Sequence, residues 1–426
     1  MAEVLPVRGL LYDPARAGRF DDLVAPPYDV ISESDRASLE AKSPFNIVRV
    51  DLPQGNREEK YRNAARELHR WIEEGILRRD RAPAFYRYHQ IFSLAGGREH
   101  TRKGFIGRIR LRRFDEGVVL PHERTLSGPR LDRLELSRAC RTNLSQVFGL
   151  YSDPARTVDA EFASLDSTAP AIEAPLGDVV HRIWRLTDGA AHQRIAEAMA
   201  DKKVYIADGH HRYETMVAIR DELRPQARSS RSSIEYGSMF LTAMEDPGLV
   251  ILPTHRLVHG LPQFQLSRFL ARLRQRFAVE KMSAASAGDL RAALAQRERS
   301  FLLASGGEVM LLSLLPGAER AVAGPEPLRG LDVPILHALI LEEILGIDRA
   351  AQERQTNLRY LKDFDAALEE SRRPEVQAVF LLNPTRIAQL KAVADAGEVM
   401  PQKSTFFFPK LASGLLLDPI DPLEEA

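Results

Sequence analysis

The sequence predicts an α/β protein of mixed α+β type. Strands of period two, a strongly amphipathic helix and a strand–tight turn–helix unit follow one another along 426 residues. A chain of this length exceeds what one hydrophobic core supports, so two or three subdomains are expected. The reading places an N-terminal α/β region over 1–150, a core over 151–260 that carries the tight turn, and an α/β lobe over 261–345. A C-terminal segment over 346–426 is expected to pack back on the body.

In chain order, Pro26-Pro27 forces an extended backbone within residues 20–32, and Ser32 or Ser34 supplies the cap of the helix that follows. The amphipathic helix runs from Arg57 to Ile76, with Tyr61, Ala64, Ala65, Leu68, Trp71 and Ile72 on one apolar stripe. Strands follow near Ala84–Leu94 and Lys103–Arg112, joined by Gly96-Gly97. In the second, Phe105, Gly107, Ile109 and Leu111 alternate with Ile106, Arg108 and Arg110, the pattern of a half-buried antiparallel strand. Pro121–Arg133 is polar and poor in core residues. Val204–Ala207 is a strand, Asp208-Gly209 a tight turn, and His210 opens a helix. Further strands are expected near Gly237–Met244 and Leu249–Leu252, with an exposed Arg/Ser-rich loop over Arg224–Ser233 between the helix and the first of them. Ser267–Phe277 reads as helix, Phe301–Leu315 as a strand pair around Gly306-Gly307, Leu331–Ile347 as an apolar helix and Gln377–Leu382 as a strand. Met400–Leu417 is too apolar to be disordered.

Composition narrows the function classes. Lys+Arg and Asp+Glu both number 59, so the chain lacks the basic excess of a general nucleic-acid binder, and DNA is disfavoured as a partner. The single Cys140 excludes an internal disulfide and a thiolate-rich metal site. The first residues lack a signal-peptide pattern and no apolar run approaches the length of a membrane span, so a cytoplasmic protein with no membrane partner is expected.

The strand–Asp208-Gly209–His210-His211-Arg212–helix unit is the leading chemical candidate. A helix start presents backbone N–H groups and the positive end of the dipole, which attract phosphate. Gly209 permits a positive φ or a close backbone approach, and Arg212 can grip phosphate with two donors. Glu214 lies on the same helical face as His210. The competing reading is a plain tight turn with exposed side chains. A second cluster, His122-Glu123-Arg124-Thr125 with Asp132-Arg133, competes with a solvated loop, which residue types alone favour. Thr254-His255-Arg256 follows a strand, where α/β proteins place ligand groups; a buried, hydrogen-bonded histidine is the competing account. In the tail, Lys403-Ser404-Thr405 lacks the glycines of a Walker loop, and Phe406–Phe408 read as core. Asp208, His210, His211, His122 and Glu123 are ligand types for a metal. Adjacent histidines in a turn rarely converge on one ion, so magnesium carried by a nucleotide (ATP, ADP or CTP) is expected rather than a permanent metal.

Val24–Ile31, Pro121–Thr125, Ala207–Thr215, Leu252–Arg256 and Met400–Thr405 together resemble the domain-of-unknown-function family 1015, in order and across nearly the whole chain. The Gly209-His210-His211-Arg212 core is also similar to the phosphate-binding turn of the ParB/sulfiredoxin-like superfamily. That likeness implies a ParB/sulfiredoxin-like core with additional mixed-sheet lobes, and a Pro-containing segment, here Val24–Asp29 with Tyr28, completing the pocket. His210 stands where sulfiredoxin has its reactive cysteine, which argues against sulfinic acid reduction. The superfamily includes a free-serine kinase, and family 1015 genes often neighbour serine biosynthesis.

The resemblance thus implies phosphoryl transfer on a small amino or hydroxy acid, most plausibly serine or phosphoserine, as a phosphatase or a nucleotide-dependent kinase. Gly209, His210, His211 and Arg212 would hold phosphate, with Arg124, Arg133 and Lys403 neutralising its oxygens, and His255 and Arg256 are further binding candidates. Asp208 or Glu123 would serve as base, with His122 beside them. The alternative is a ParB-like nucleotide-binding regulator of DNA or a protein partner.

Overall fold

The structure is a computed structural model that describes the chain apart from Arg57, Ala95, Gly96, Thr125, Leu126, Ala284, Ala285 and the side chains of 127–129. The expected helix start at Arg57, the Gly96 half of the Gly96-Gly97 turn and Thr125 of the second cluster lie outside the described residues. The chain forms two compact units. Unit 1 comprises Met1–Pro121, Thr125–Val250 and Pro409–Ala426; unit 2 comprises His122–Arg124 and Ile251–Phe408.

Unit 1 is built on a mixed sheet. Among the described residues its strands are β1 (Val4–Leu5), β2 (Phe85–Ser93), β3 (Glu99–Arg110), β4 (Val119–Leu120), β5 (Val147–Tyr151), β6 (Ile172–Leu176), β7 (Val179–Leu186), β8 (Val204–Asp208) and β9 (Tyr236–Ala243). Their spatial order is β4-β8-β5-β9-β3-β2-β7-β6, with β1 beside β3. The β8–β4 and β9–β5 pairs are parallel and the others antiparallel, so the mixed α/β class is observed.

Four helices of unit 1 matter for the site: α1 (Glu59–Glu73), α2 (Ser127–Cys140), α3 (Gly189–Met199) and α4 (His210–Leu223). Helices α3 and α4 bury Ala191, Ile195, Met199, Tyr213 and Met216 in one core with residues of the sheet. Helix α1 buries Tyr61, Ala64, Leu68 and Trp71, the expected stripe, in a second core that also takes Leu136 and Cys140 of α2. It stops before Ile76 because Gly75 turns to φ 71°.

Two expectations fail here for physical reasons. Strand β3 is not half-buried, because it lies inside the sheet between β2 and β9 with Ile106, Gly107, Arg108 and Ile109 all buried. Arg108, which marked a solvent face by its charge, is instead buried against Asp418 at 2.8 Å. The polar stretch Pro121–Arg133 is no open loop throughout, since α2 starts at Ser127 and packs against α1 and α4. Its apolar face becomes evident only from Leu134 onward, past the end of that stretch.

Unit 2 contains a sheet of β10 (His255–His259), β11 (Phe277–Lys281), β12 (Ser300–Ser305), β13 (Glu308–Leu314), β14 (Leu358–Leu361) and β15 (Val376–Leu381), ordered β11-β13-β12-β15-β10-β14. Phe301 and Leu303 enter one core while Leu302 and Ala304 enter another, so period two here divides residues between two covered faces. The predicted apolar helix over Leu331–Ile347 is one α-turn, Asp332–Ile335, continued by a π-helix over Leu336–Glu342.

The C-terminal stretch divides between the units at Phe408 and Pro409. Within unit 1, Leu411–Asp418 is buried, and buried side chains hold its backbone. Arg102 donates to the Pro409 carbonyl (2.5 Å), Gln90 to Lys410 (2.9 Å) and Gln146 to Leu416 (2.7 Å). Asp418 accepts from Arg108 and Asn143. Removing one member of a buried ion pair strands the other charge and costs about 3–5 kcal/mol. Asp418→Asn should therefore lower unfolding stability by about that much in denaturant titration. Glu369→Ala, which removes an exposed pair with Arg372, should change it by less than about 1 kcal/mol. Equal effects would contradict this account of residues 409–418 as a strap held on unit 1.

Candidate functional site

Strand β8 ends at Asp208, Gly209 turns the chain with φ 88°, and α4 starts at His210. The turn demands glycine twice. Its φ lies in the left-handed region, and a Cβ there would sit 2.9 Å from Arg212 Nε and 3.0 Å from the guanidinium carbon. Arg212 is folded back over the turn that precedes it. Its Nη2 donates to Asp208 Oδ2 at 2.8 Å and its Nη1 to Ser145 Oγ at 3.2 Å and to the Gln146 carbonyl.

Asp208 accepts a second cation, since Lys410 Nζ bonds its other oxygen from 202 positions away. Burial alone would raise the Asp208 carboxyl, but Lys410 and Arg212 outweigh it and hold the group well below the usual carboxylate range. A carboxylate held so low is fixed in its charged form, which suits holding cations better than taking up a proton. Asp208, Gly209 and His211 are half-buried, so solvent reaches the turn, while His210 and Arg212 are buried.

Tyr28 and Arg133 belong to the same unit. The guanidinium of Arg133 lies 4.0 Å from the Tyr28 ring centre, and burial pushes the phenol up to about 12 despite Arg133 and Arg212. Arg133 is committed to Asp51 and Asp132, with bonds of 2.7 Å to the Asp51 carbonyl and 2.6 Å to Asp132. A cavity of ≈ 30 Å³ is lined by Arg133, Arg212, Ser145 and Thr215, room for about one water. Glu214 faces Arg130 at 3.9 Å.

The other candidates gather in unit 2. His122 Nε2 lies 2.8 Å from Thr405 Oγ1, and Glu123 accepts from the Thr405 N–H at 2.9 Å. Arg256 is fully buried; it donates to the Lys403 carbonyl (3.0 Å) and to the Thr254 carbonyl, and contacts His337 Nε2 at 3.2 Å. Burial draws this guanidinium down to about 10. His255 is buried, accepts the Leu382 N–H at 3.2 Å and is drawn by burial down to about 4. Arg124 lines a cavity of ≈ 490 Å³ with His337, Tyr360, Gln352 and Gln402. The Lys403 side chain is exposed on a backbone with φ 57°.

Unit 1 thus joins Tyr28, Arg133, Asp208, Gly209, His210, His211 and Arg212, while His122, Glu123, Arg124, His255, Arg256 and Lys403 belong to unit 2. Lys410 flanks the aromatic tail segment and is not among the site candidates read from the sequence. Its position after Phe406-Phe407-Phe408-Pro409 gives no local sign that it meets Asp208. Among the described residues no group of three or more His, Cys, Asp or Glu side chains forms a metal cluster, and no helix is long and apolar enough to cross a membrane.

Gly209→Ala should destabilise unit 1 by at least the ~1–2 kcal/mol of a left-handed non-glycine residue and displace Arg212. Gly177→Ala, also at positive φ but in open space, should cost only the backbone part, as denaturant midpoints will show. The Asp208 pKa is depressed in the fold, so its charge stabilises above the unfolded value of about 3.9 and that contribution is lost as pH falls below it. The stability gap between wild type and Asp208→Asn should therefore be wide at pH 7 and shrink on acidification. A gap independent of pH would contradict the ion-pair assignment.

No curated protein matches the chain in sequence. Among solved structures, a free serine kinase in complex with AMP is similar at 12% identity and TM-score 0.35, covering 73% of this chain and 88% of that one. A conserved hypothetical protein from Pyrococcus furiosus matches at 13% identity and TM-score 0.35, covering 69% and 89%. SbnI from Staphylococcus aureus, with a C-terminal truncation, matches at 9% and TM-score 0.35, covering 71% and 84%. The family model of DUF1015, described as a protein of unknown function, matches residues 4–334, and the chain belongs to that family.

Proposed function

We propose that the Asp208–Arg212 turn of unit 1 binds the phosphate of a nucleotide or small phosphorylated molecule and serves phosphoryl transfer on a small amino or hydroxy acid. Serine or phosphoserine is the substrate that the resemblance implies. The observation that carries the reading is the positive charge gathered at a helix start. Arg212 and Lys410 share one carboxylate, His210 and His211 begin the helix, and Gly209 keeps the backbone open. Phosphoryl transfer asks mainly for positioning and charge stabilisation, which such a turn can supply.

In this reading the first-turn N–H groups and the two imidazoles face the phosphate. Asp208 is a positioning group that aims Arg212 and Lys410, in preference to a base. A ParB/sulfiredoxin-like core is the proposed ancestry of this unit, and the approach of Tyr28 to Arg133 beside Arg212 supports the upstream segment's share in the pocket. Magnesium would arrive with the nucleotide.

A two-armed assay with Mg²⁺ tests the proposal. One arm supplies phosphoserine and follows released phosphate; the other supplies serine with ATP or ADP and follows phosphoserine. Turnover is expected in one arm, reduced about 10²–10³-fold in Arg212→Ala, the loss typical of a preorganised charge donor. Turnover that survives Arg212→Ala would refute the assignment. Silence in both arms with nucleotide still bound would favour a nucleotide-dependent regulator.

A further inference from the structure

We infer that the ≈ 490 Å³ cavity of unit 2 binds a small zwitterion, a free amino acid with an apolar or aromatic side chain. The inference does not rest on the phosphate-binding reading of unit 1, because the described residues that line this cavity all belong to unit 2. Its lining is drawn from Arg124 and from residues 321–328, 334–343, 349–353, 360 and 398–402. The volume falls within the range of about 300–1,000 Å³ that small-molecule sites occupy.

Two features set this cavity apart from a packing gap. The buried part of its lining is a built polar network. Arg256, fully buried, donates to His337 Nε2 at 3.2 Å, so the ring carries its proton on Nδ1. Burial first, and the Arg256 charge second, draw His337 well below its usual value and keep it neutral. Gln352, on the helix Arg349–Arg354, is anchored by a 2.8 Å bond from its Nε2 to the Ile347 carbonyl. Side chains held in this way form a surface that is in place before a ligand arrives. The second feature is backbone geometry. His337, Ala338 and Glu342 belong to the π-helix Leu336–Glu342, a rare conformation that recurs at functional sites.

The charges on the lining indicate the ligand. Glu342 faces Arg349 at 3.7 Å, and Glu343 pairs with Arg276 at 3.1 Å. Arg124, Glu353 and Glu398 have no ion pair among the described residues. One guanidinium and two carboxylates without partners suit a ligand that carries both signs. Its carboxylate would bond Arg124, and its ammonium Glu353 or Glu398. A phosphate would instead meet four carboxylates against two guanidiniums on this lining, which disfavours it. The apolar share of the lining includes Val322, Leu328 and Pro334, all buried, and Tyr360 adds a ring. These suit an apolar or aromatic side chain.

Calorimetric titration of the full chain with L-phenylalanine, phenethylamine and 3-phenylpropionate tests the inference. The second probe lacks the carboxylate and the third lacks the ammonium. Wild type should bind phenylalanine about tenfold or more tighter than either analogue, the worth of one charge-assisted hydrogen bond. Arg124→Gln should weaken phenylalanine binding by that factor without weakening phenethylamine. The double variant Glu353→Gln/Glu398→Gln should weaken phenylalanine without weakening 3-phenylpropionate. Ala323→Trp, at an exposed position of the lining, should block all three probes. Failure of the wild type to bind phenylalanine, or equal affinity for it and either analogue, would overturn the inference. So would charge variants that weaken every probe alike, or binding that survives Ala323→Trp. Thermal melts of each variant, showing a folded chain, separate lost binding from lost structure.

Discussion

A carboxylate shared by two cations sets the geometry of the strand–turn–helix unit. Asp208 ends β8, Arg212 returns from the first turn of α4, and Lys410 arrives from the far end of the sequence. Each contact constrains a different part of unit 1. Glycine at 209 suits the Arg212 contact, because its φ is left-handed and a Cβ would press on the guanidinium. The Lys410 contact requires the strap, and the strap requires buried hydrogen-bonding groups on β2, β3 and the segment before β5. Those groups explain why a sheet with both faces covered contains Arg102 and Arg108, charges that open water would otherwise hold.

Other buried charges of unit 1 have carboxylates of their own. Arg108 and Arg133 are buried with carboxylates that match them, Asp418 for the first and Asp51 with Asp132 for the second. The pairs with Asp418 and Asp51 join residues far apart in the sequence. At the turn, one carboxylate faces two cations and three of its five residues lie half-exposed or at the edge of solvent. In unit 2, Arg256 is buried among carbonyls and a neutral histidine, with the Tyr360 ring 5.4 Å away. Its bond to the Lys403 carbonyl ties the start of β10 to the C-terminal stretch of unit 2.

Much of this was legible in the sequence, for identifiable reasons. Tyr61, Leu68 and Trp71 announce α1 because a single buried stripe repeats at helical period, and Gly306-Gly307 marks the β12–β13 hairpin because both glycines turn to positive φ. Asp208-Gly209-His210 gave the strand, the turn and the helix start in their observed places. Other features could not be read locally. Arg108 looks solvent-facing until Asp418, distant in sequence, is known to lie beside it. The start of α2 carries few apolar residues and so hides its helical period. Lys410 follows three phenylalanines and a proline, and nothing within its neighbourhood specifies a partner on β8. Long-range ion pairs are invisible to periodicity, and the Arg108 and Lys410 contacts are of that kind.

The most direct test of the central claim is histidine-selective ¹⁵N NMR of the full chain during titration with ADP, resonances being assigned by single substitutions. The account predicts saturable shifts of His210 and His211, abolished in Arg212→Ala at the same ADP concentration. Shifts confined to other histidines, such as His255 or His337, with His210 and His211 unmoved, would place the anion elsewhere and contradict it.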